Sequence, residues 1–174
     1  NGYIWIGNEF GVSRFSGKTF ENYSMADGLS DNEVVFIKND SKGRVWFLGF
    51  NGTVSYWYKN QFFNEHNDTL LKRIKTNYCF TDLFEDGSGR LWFFSIAISV
   101  ILDGANLMFP SSKDIYQNSF LVGGKNRQIV LSRTSDHHSI FKDNRFRPTQ
   151  LKYARKEGCG LVVLPDGNTL FTAT

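Results

Sequence analysis

The phrase Asp40-x-x-Gly43-Arg44-Val45-Trp46-Phe47 returns 46 residues later as Asp86-x-x-Gly89-Arg90-Leu91-Trp92-Phe93. Self-similarity at about 40 to 45 residues marks stacked four-stranded units, none of which can bury its apolar face alone. A third copy, Gly2-Tyr3-Ile4-Trp5-Ile6, opens the chain, and weaker echoes centre on Ile129 and Leu170. With Trp5, Trp46, Trp92, Ile129 and Leu170 as anchors the steps are 41, 46, 37 and 41 residues, a spread that suits loops of variable length. A second phrase sets the register independently. Residues 13–20 align without gaps to 55–62 and 139–146, each stretch opening on a Ser and closing on a Phe, and residues 100–107 supply a fourth member.

Each repeat reads as four short strands separated by Gly, Asp and Asn turns. In the second repeat an inner strand A is expected over residues 33–38, where Val34-Val35-Phe36-Ile37 is an apolar run fit for burial on both faces. Strands B, C and D follow over 44–48, 53–57 and 61–64. In the Asp40-x-x-Gly43 turn the carboxylate can accept backbone amides two or three residues on, while Gly supplies a positive φ. Trp46 and Trp92 follow at one offset, which suits large aromatics wedged between neighbouring sheets. Trp5, Phe15, Trp57 and Phe141 complete the expected structural core. Turns at Ser16-Gly17-Lys18, Tyr58-Lys59-Asn60, Asp103-Gly104-Ala105 and Lys142-Asp143-Asn144 carry hairpin chemistry. Only residues 69–76 suit a short helical turn.

Meanders of this length pack radially as β-propeller blades. The reading is an all-β chain of about four blades, a single segment over 1–174 with units at about 1–32, 33–77, 78–119 and 120–157 and a partial blade at 158–174. The chain opens in strand B of one unit and ends after A and B of another. An open arc or half propeller of a longer array is therefore expected, or one completed by self-association with a second copy.

Composition agrees with an ordered, turn-rich β protein: 16 Gly, 3 Pro and 16% aromatic residues. A net charge of +3, without a basic stripe, argues against a nucleic-acid partner. No apolar run of about 18 residues and no signal-like N-terminus is present, so no direct membrane contact is expected of this segment. Cys79 and Cys159 lie in strand-like stretches of different repeats and read as buried free thiols, with a disulfide between them the alternative.

The residues also carry a family likeness. Asn1-Gly2-Tyr3-Ile4-Trp5-Ile6-Gly7-Asn8, Phe10-Gly11-Val12-Ser13-Arg14-Phe15, Phe20-Glu21-Asn22-Tyr23, Asp27-Gly28-Leu29-Ser30-Asp31-Asn32 and residues 40–46 closely resemble the two-component regulator propeller repeat. The likeness is most specific over 1–50, good over 78–95 and faint beyond 120. Phe93-Phe94 replaces its Ile-Gly, and Ile129 and Leu170 replace its Trp. The resemblance implies a periplasmic sensor segment of a hybrid histidine kinase, one that binds an oligosaccharide and signals through a membrane helix to a kinase outside this chain. Members commonly carry two multi-blade propellers and a β-sandwich.

An enzyme would need convergent reactive groups. The sequence has no Gly-x-Ser-x-Gly elbow, His-Glu-x-x-His or Walker loop. His137 and His138, placed in a B-to-C connector, are a poor metal pair, since adjacent strand residues point to opposite faces. No catalytic residue, metal or cofactor is assigned. Binding is better placed. D-to-A and B-to-C connectors share one propeller face, and here they carry Arg73, Lys75, Tyr78, Arg133, His137, His138, Tyr153 and Arg155, groups suited to stacking on sugars and pairing with their carboxylates or sulfates. Ordinary solvated loops would look the same. Two further readings stay open: a structural or protein-interaction propeller segment without a small ligand, and a propeller lyase or glycan-active enzyme.

Overall fold

The computed structural model describes residues 2–74, 76–95, 99–110, 120–123, 129–134, 137–143, 145–149, 152–156, 159–163 and 169–173; beyond 110, side chains are described at 141, 143 and 145–148. Strands β1 (Ile4–Asn8), β2 (Gly11–Phe15) and β3 (Phe20–Tyr23) form the first sheet. The second contains β4 (Val34–Asn39), β5 (Val45–Gly49), β6 (Val54–Tyr58) and β7 (Gln61–Phe63), and the third β8 (Phe80–Glu85), β9 (Leu91–Ser95), β10 (Ser99–Asp103) and β11 (Asn106–Met108). The fourth contains β12 (Phe120–Gly123), β13 (Ile129–Thr134), β14 (His137–Lys142) and β15 (Arg145–Thr149), the fifth β16 (Lys152–Lys156), β17 (Cys159–Val163) and β18 (Thr169–Ala173). Neighbours in sequence pair antiparallel throughout, so the chain is a series of meanders that do not close on one another. The fifth sheet has three strands where the repeat pattern placed two, because residues 152–156 pair with β17. Single 3-10 turns at Met25–Asp27 and Leu71–Arg73 are the helical elements among the described residues.

The repeated phrase folds into a polar clamp. Asp40 Oδ1 accepts the amides of Lys42 (3.0 Å) and Arg44 (2.9 Å), while Oδ2 accepts Arg44 Nε (2.5 Å) and Trp46 Nε1 (2.8 Å). Asp86 repeats all four bonds with Ser88, Arg90 and Trp92, at 2.7–3.1 Å. Gly43 and Gly89 both sit at φ +78°, which closes the turn behind the carboxylate. Each Arg guanidinium also faces a ring: Arg44 lies 4.8 Å from Trp46, and Arg90 5.0 Å from Phe141 of the fourth sheet. The turn, the cation and the indole are thus one hydrogen-bonded unit. A carboxylate only 3% exposed at Asp86 would be costly if any of these donors were missing.

Alternation along the strands gives the second and third sheets two apolar faces, which interleave with their neighbours. Trp5 and Tyr23 of the first sheet pack with Phe47, Trp57 and Phe62 of the second, Trp5 and Phe47 meeting edge-on at 5.1 Å. The opposite face of the second sheet, with Trp46, Leu48, Val54 and Tyr56, packs on Leu83, Leu91, Phe93, Val100 and Leu102 of the third. Trp92, Phe94 and Ile101 then meet Phe141, Trp92 lying perpendicular to that ring at 4.5 Å. Trp46 and Trp92 are wholly buried, Trp5 and Trp57 partly, while Phe15 is half-buried and stacks on Phe20 at 4.5 Å. Polar bonds tie the second sheet to the third as well: Glu85 accepts both the amide (2.8 Å) and the hydroxyl of Ser41, and Lys38 pairs with Asp82 at 3.2 Å.

The C-to-D hairpins have the left-handed residues their turns require. Lys59 (φ 48°) and Asn60 (φ 62°) link the paired Tyr58 and Gln61, and Gly104 and Asp143 have positive φ in the corresponding turns. Strand A of the second sheet departs from expectation. Val35 and Phe36 are each 37% exposed, so the strand is not buried on both faces. A bulge between Val34 and Phe36 breaks its alternation, and as an edge strand it commits only Val34 and Ile37 to the first interface.

Trp46→Ala and Trp92→Ala are each expected to cost about 3–5 kcal/mol in urea denaturation. Asp86 supplies a pH-dependent counterpart. Burial pushes its carboxyl up, but bonds from Trp92, from the Arg90 amide and guanidinium, and from Ser88 outweigh it and hold the group below its ordinary value. Stability from such a carboxylate is full above the unfolded pKa and lost as pH falls through the folded one. Acid titration should therefore show this contribution fading only below about pH 4, and Asp86→Asn should lack that part of the acid limb.

Candidate functional site

The connectors entering β4 and β8 lie with the β1–β2 and β5–β6 turns along one edge of the sheets, the β5–β6 turn bonded to both connectors. The first long connector begins with a capped turn: the Ser24 amide donates to Asp27 Oδ2 at 2.8 Å, and Gly28 takes φ 113°. It then drives Leu29 (2% exposed) and Ser30 (5%) into the second sheet. Ser30 Oγ lies 2.9 Å from the Val54 carbonyl and 2.7 Å from Glu65 Oε2, and Asn64 Nδ2 donates to the Gly28 carbonyl at 3.0 Å. Asp31 Oδ2 accepts the Asn51 amide (2.9 Å), and the Phe50 amide donates to the Glu33 carbonyl (2.9 Å). The next connector joins the row where the Thr76 amide donates to the Gly52 carbonyl at 3.1 Å. These bonds make the row of loops a fixed ridge.

Three rings stand on that ridge. Phe10 is 76% exposed in the β1–β2 turn, Phe50 57% in the β5–β6 turn and Tyr78 47% in the connector before β8. The carboxylates of Glu9 and Glu33 are exposed among them, with Asp31 half-buried, while the cations Lys72 and Arg73 are exposed on the 3-10 turn Leu71–Arg73. Exposed aromatics beside short polar groups can stack on and hydrogen-bond to a flat, partly polar ligand. Cys79 adjoins this ridge as a free, half-buried thiol; burial and the charges of Glu33 and Asp31 push its pKa up, so it stays protonated at neutral pH and is a poor nucleophile. Among the described residues no three His, Cys, Asp or Glu side chains converge to hold a metal.

Of the residues expected to bind, Arg73 and Tyr78 are on the ridge and exposed. Lys75 lies outside the described residues. Arg133, His137 and His138 are not in a connector: β13 runs to Thr134 and β14 starts at His137, with Thr134 paired to His137, so the hairpin is tighter than the sequence pattern suggested. Tyr153 and Arg155 likewise belong to strand β16, held in register by pairing with Val162 and Gly160. Phe10 and Phe50 were missed by sequence reasoning. Their signal was a ring one or two residues before the Gly of the same B-to-C turn in two successive repeats.

A second polar cluster sits at the far end of the first sheet. The Arg14 guanidinium lies 4.5–5.7 Å from the rings of Tyr3, Trp5, Tyr23 and Trp57, and Glu21 accepts from both Arg14 and Tyr23 at 2.5 Å. Bonds from Tyr23 and Arg14 lower the Glu21 pKa, while burial and the bond to Glu21 push Tyr23 up to about 12. Neither group titrates near neutrality.

No protein-family profile and no curated relative matches the sequence. Among solved structures the chain is similar to the extracellular domain of BT3049 from B. thetaiotaomicron, described as a hybrid two component system, at TM-score 0.64 and 19% identity over 99% of this chain. It is also similar to that of BT4673 from the same organism, at TM-score 0.60 and 17% identity over 99% of the chain. The likeness is one of fold. The chain spans 26% of each of those chains, about a quarter of their length.

Gly52 tests the rigidity of the ridge. It holds φ +78°, and a Cβ there would fall 2.3 Å from the Thr76 carbonyl oxygen and 2.7 Å from that of Tyr78. Gly52→Ala is expected to cost more than about 1 kcal/mol in urea denaturation and to speed amide exchange at Thr76 and Tyr78.

Proposed function

We propose that this chain is a ligand-sensing segment from the extracytoplasmic part of a hybrid two-component regulator, built as part of a β-propeller, non-catalytic and periplasmic. The observation that carries the reading is its fold-level likeness, over 99% of its length, to extracellular domains of two-component systems. The repeat phrases in the sequence support it independently. Among the described residues no helix is long and apolar enough to cross a membrane, so the reading assigns the membrane helix and kinase to other parts of the polypeptide.

The ligand in this reading is an oligosaccharide bound on the connector ridge, with Tyr78, Phe10 and Phe50 stacking on sugar rings and Arg73 pairing with acidic substituents. Signalling follows from differential contact, since a ligand shifts a receptor only by binding one arrangement of it better than another. Titration calorimetry with neutral, uronic-acid-containing and sulfated oligosaccharides tests this. Heat of binding is expected from at least one class, with Tyr78→Ala weakening it by about tenfold and Arg73→Ala weakening only acidic glycans. Silence across all three classes would favour an interaction platform, and turnover of any glycan would favour an enzyme.

A further inference from the structure

Charge divides unevenly between the two ends of the sheets. In an antiparallel meander the A-to-B and C-to-D turns fall at one end, and the B-to-C turns fall with the connectors at the other. Through the first three sheets the connector end carries Glu9, Asp27, Asp31, Glu33, Glu65 and Asp68 against Lys72, Arg73 and Lys75. At the opposite end Asp40 and Asp86 are neutralised by Arg44 and Arg90, and the exposed charges in and beside the turns of these sheets are Lys18, Lys42, Lys59 and Asp103 among the described residues. A chain of net charge +3 therefore presents a negative end to whatever its connectors meet. A field of that sign draws cations and repels anions over about 10 Å at ordinary salt.

Within that end, one stretch joins an uncommitted carboxylate to two rings. The Phe50 amide donates to the Glu33 carbonyl at 2.9 Å, which sets these two residues side by side. A Cβ built on Gly52 falls 2.7 Å from the Tyr78 carbonyl oxygen, so the connector carrying Tyr78 lies against the same turn. Asp31 is already used: Oδ1 accepts the Glu33 amide (3.2 Å) and Oδ2 the Asn51 amide (2.9 Å). Glu33 is exposed, and its carboxylate forms no hydrogen bond or ion pair among the described residues. The neighbouring Cys79 thiol registers the negative potential, its pKa being raised by burial and then by the charges of Glu33 and Asp31. Asn51 is exposed beside Phe50; its Oδ1 accepts the amide and hydroxyl of Thr53 at 2.9 and 2.6 Å, which leaves Nδ2 as a donor for a ligand.

An ammonium group is the chemistry that meets both parts of this stretch, since it pairs with a carboxylate and is drawn to aromatic faces. A carboxylate or sulfate placed there meets repulsion from Glu33 and Asp31. We infer that Glu33, Phe50 and Tyr78 form a subsite for an amine-bearing sugar unit, a hexosamine with a free ammonium group, which pairs with Glu33 while the sugar's C–H faces lie against the rings. Asn51 Nδ2 donates to a hydroxyl of the same unit. The inference rests on the reading that the ridge binds an oligosaccharide, and it fixes the charge of the unit bound at this stretch. Arg73 on its 3-10 turn is left for a substituent of opposite sign on another unit of the same glycan.

Paired oligosaccharides test it. A glucosamine oligomer and its N-acetylated, uncharged counterpart are titrated into the 174-residue protein at about pH 6, where the sugar amine is protonated, with a uronic-acid oligomer alongside. The amine form is expected to bind at least about tenfold more tightly than the acetylated one at low salt, and the margin narrows as salt is added. Glu33→Gln should bring the two to within about twofold of each other. An acetylated or acidic oligomer that binds as tightly as the amine overturns the inference and leaves the oligosaccharide reading standing. A preference for the amine that survives Glu33→Gln intact also overturns it, by taking the ammonium group away from Glu33. A lysine-rich peptide that binds as tightly as the amine oligomer does the same, giving the stretch to a protein partner. Heat from no oligosaccharide of any class removes the oligosaccharide reading and the inference with it.

Discussion

One buried carboxylate per repeat holds the second and third units together from within. Asp40 and Asp86 each take two backbone amides, an Arg Nε and an indole N–H, so the turn that reverses the chain also fixes where the Trp points. A Trp in an interface brings a large apolar surface and one polar group that must be satisfied. Satisfying it inside its own hairpin leaves the whole ring face free for the next sheet. This is why Trp46 and Trp92 reach zero exposure without a polar partner across the interface.

The sheets then stack through matched but unequal faces. The Trp5 face of the first sheet meets Phe47, Trp57 and Phe62, the Trp46 face of the second meets Leu, Phe and Val side chains of the third, and Ser41 with Glu85 and Lys38 with Asp82 fix the rim of that second interface. Because the β5–β6 turn is hydrogen-bonded both to the connector entering β4 and to the connector entering β8, the loop row inherits the rigidity of the stack. In the proposed reading, a rigid ridge carrying three exposed rings lowers the ordering cost of binding.

Much of the strand pattern was legible. In the second unit strands expected over 33–38, 44–48, 53–57 and 61–64 appear one residue displaced or less at their starts, because Gly and Asp turns leave few alternatives at that spacing. The helical turn inside 69–76 was legible for the same local reason. Of the candidate site, Arg73 and Tyr78 were visible as polar or aromatic residues in a long connector. Phe10 and Phe50 were not, since a Phe beside a turn Gly reads as core until its neighbours are known. Arg133, His137, His138, Tyr153 and Arg155 were misplaced because strand ends depend on pairing with a partner strand, and polar residues continue a strand wherever the ladder does.

By itself the sequence determined the unit: its period, its all-β character, its turn positions and the Asp-to-Trp offset of six residues that the clamp requires. Each of these is local, set by φ preferences and by alternation along a strand. Only the tertiary structure decided which apolar face is covered, that Val35 and Phe36 lie partly open while Leu29 is buried, and that the loops join into one ridge. Burial is a property of pairs of surfaces, and identical residues in repeated units take opposite fates according to whether a neighbouring sheet lies against them.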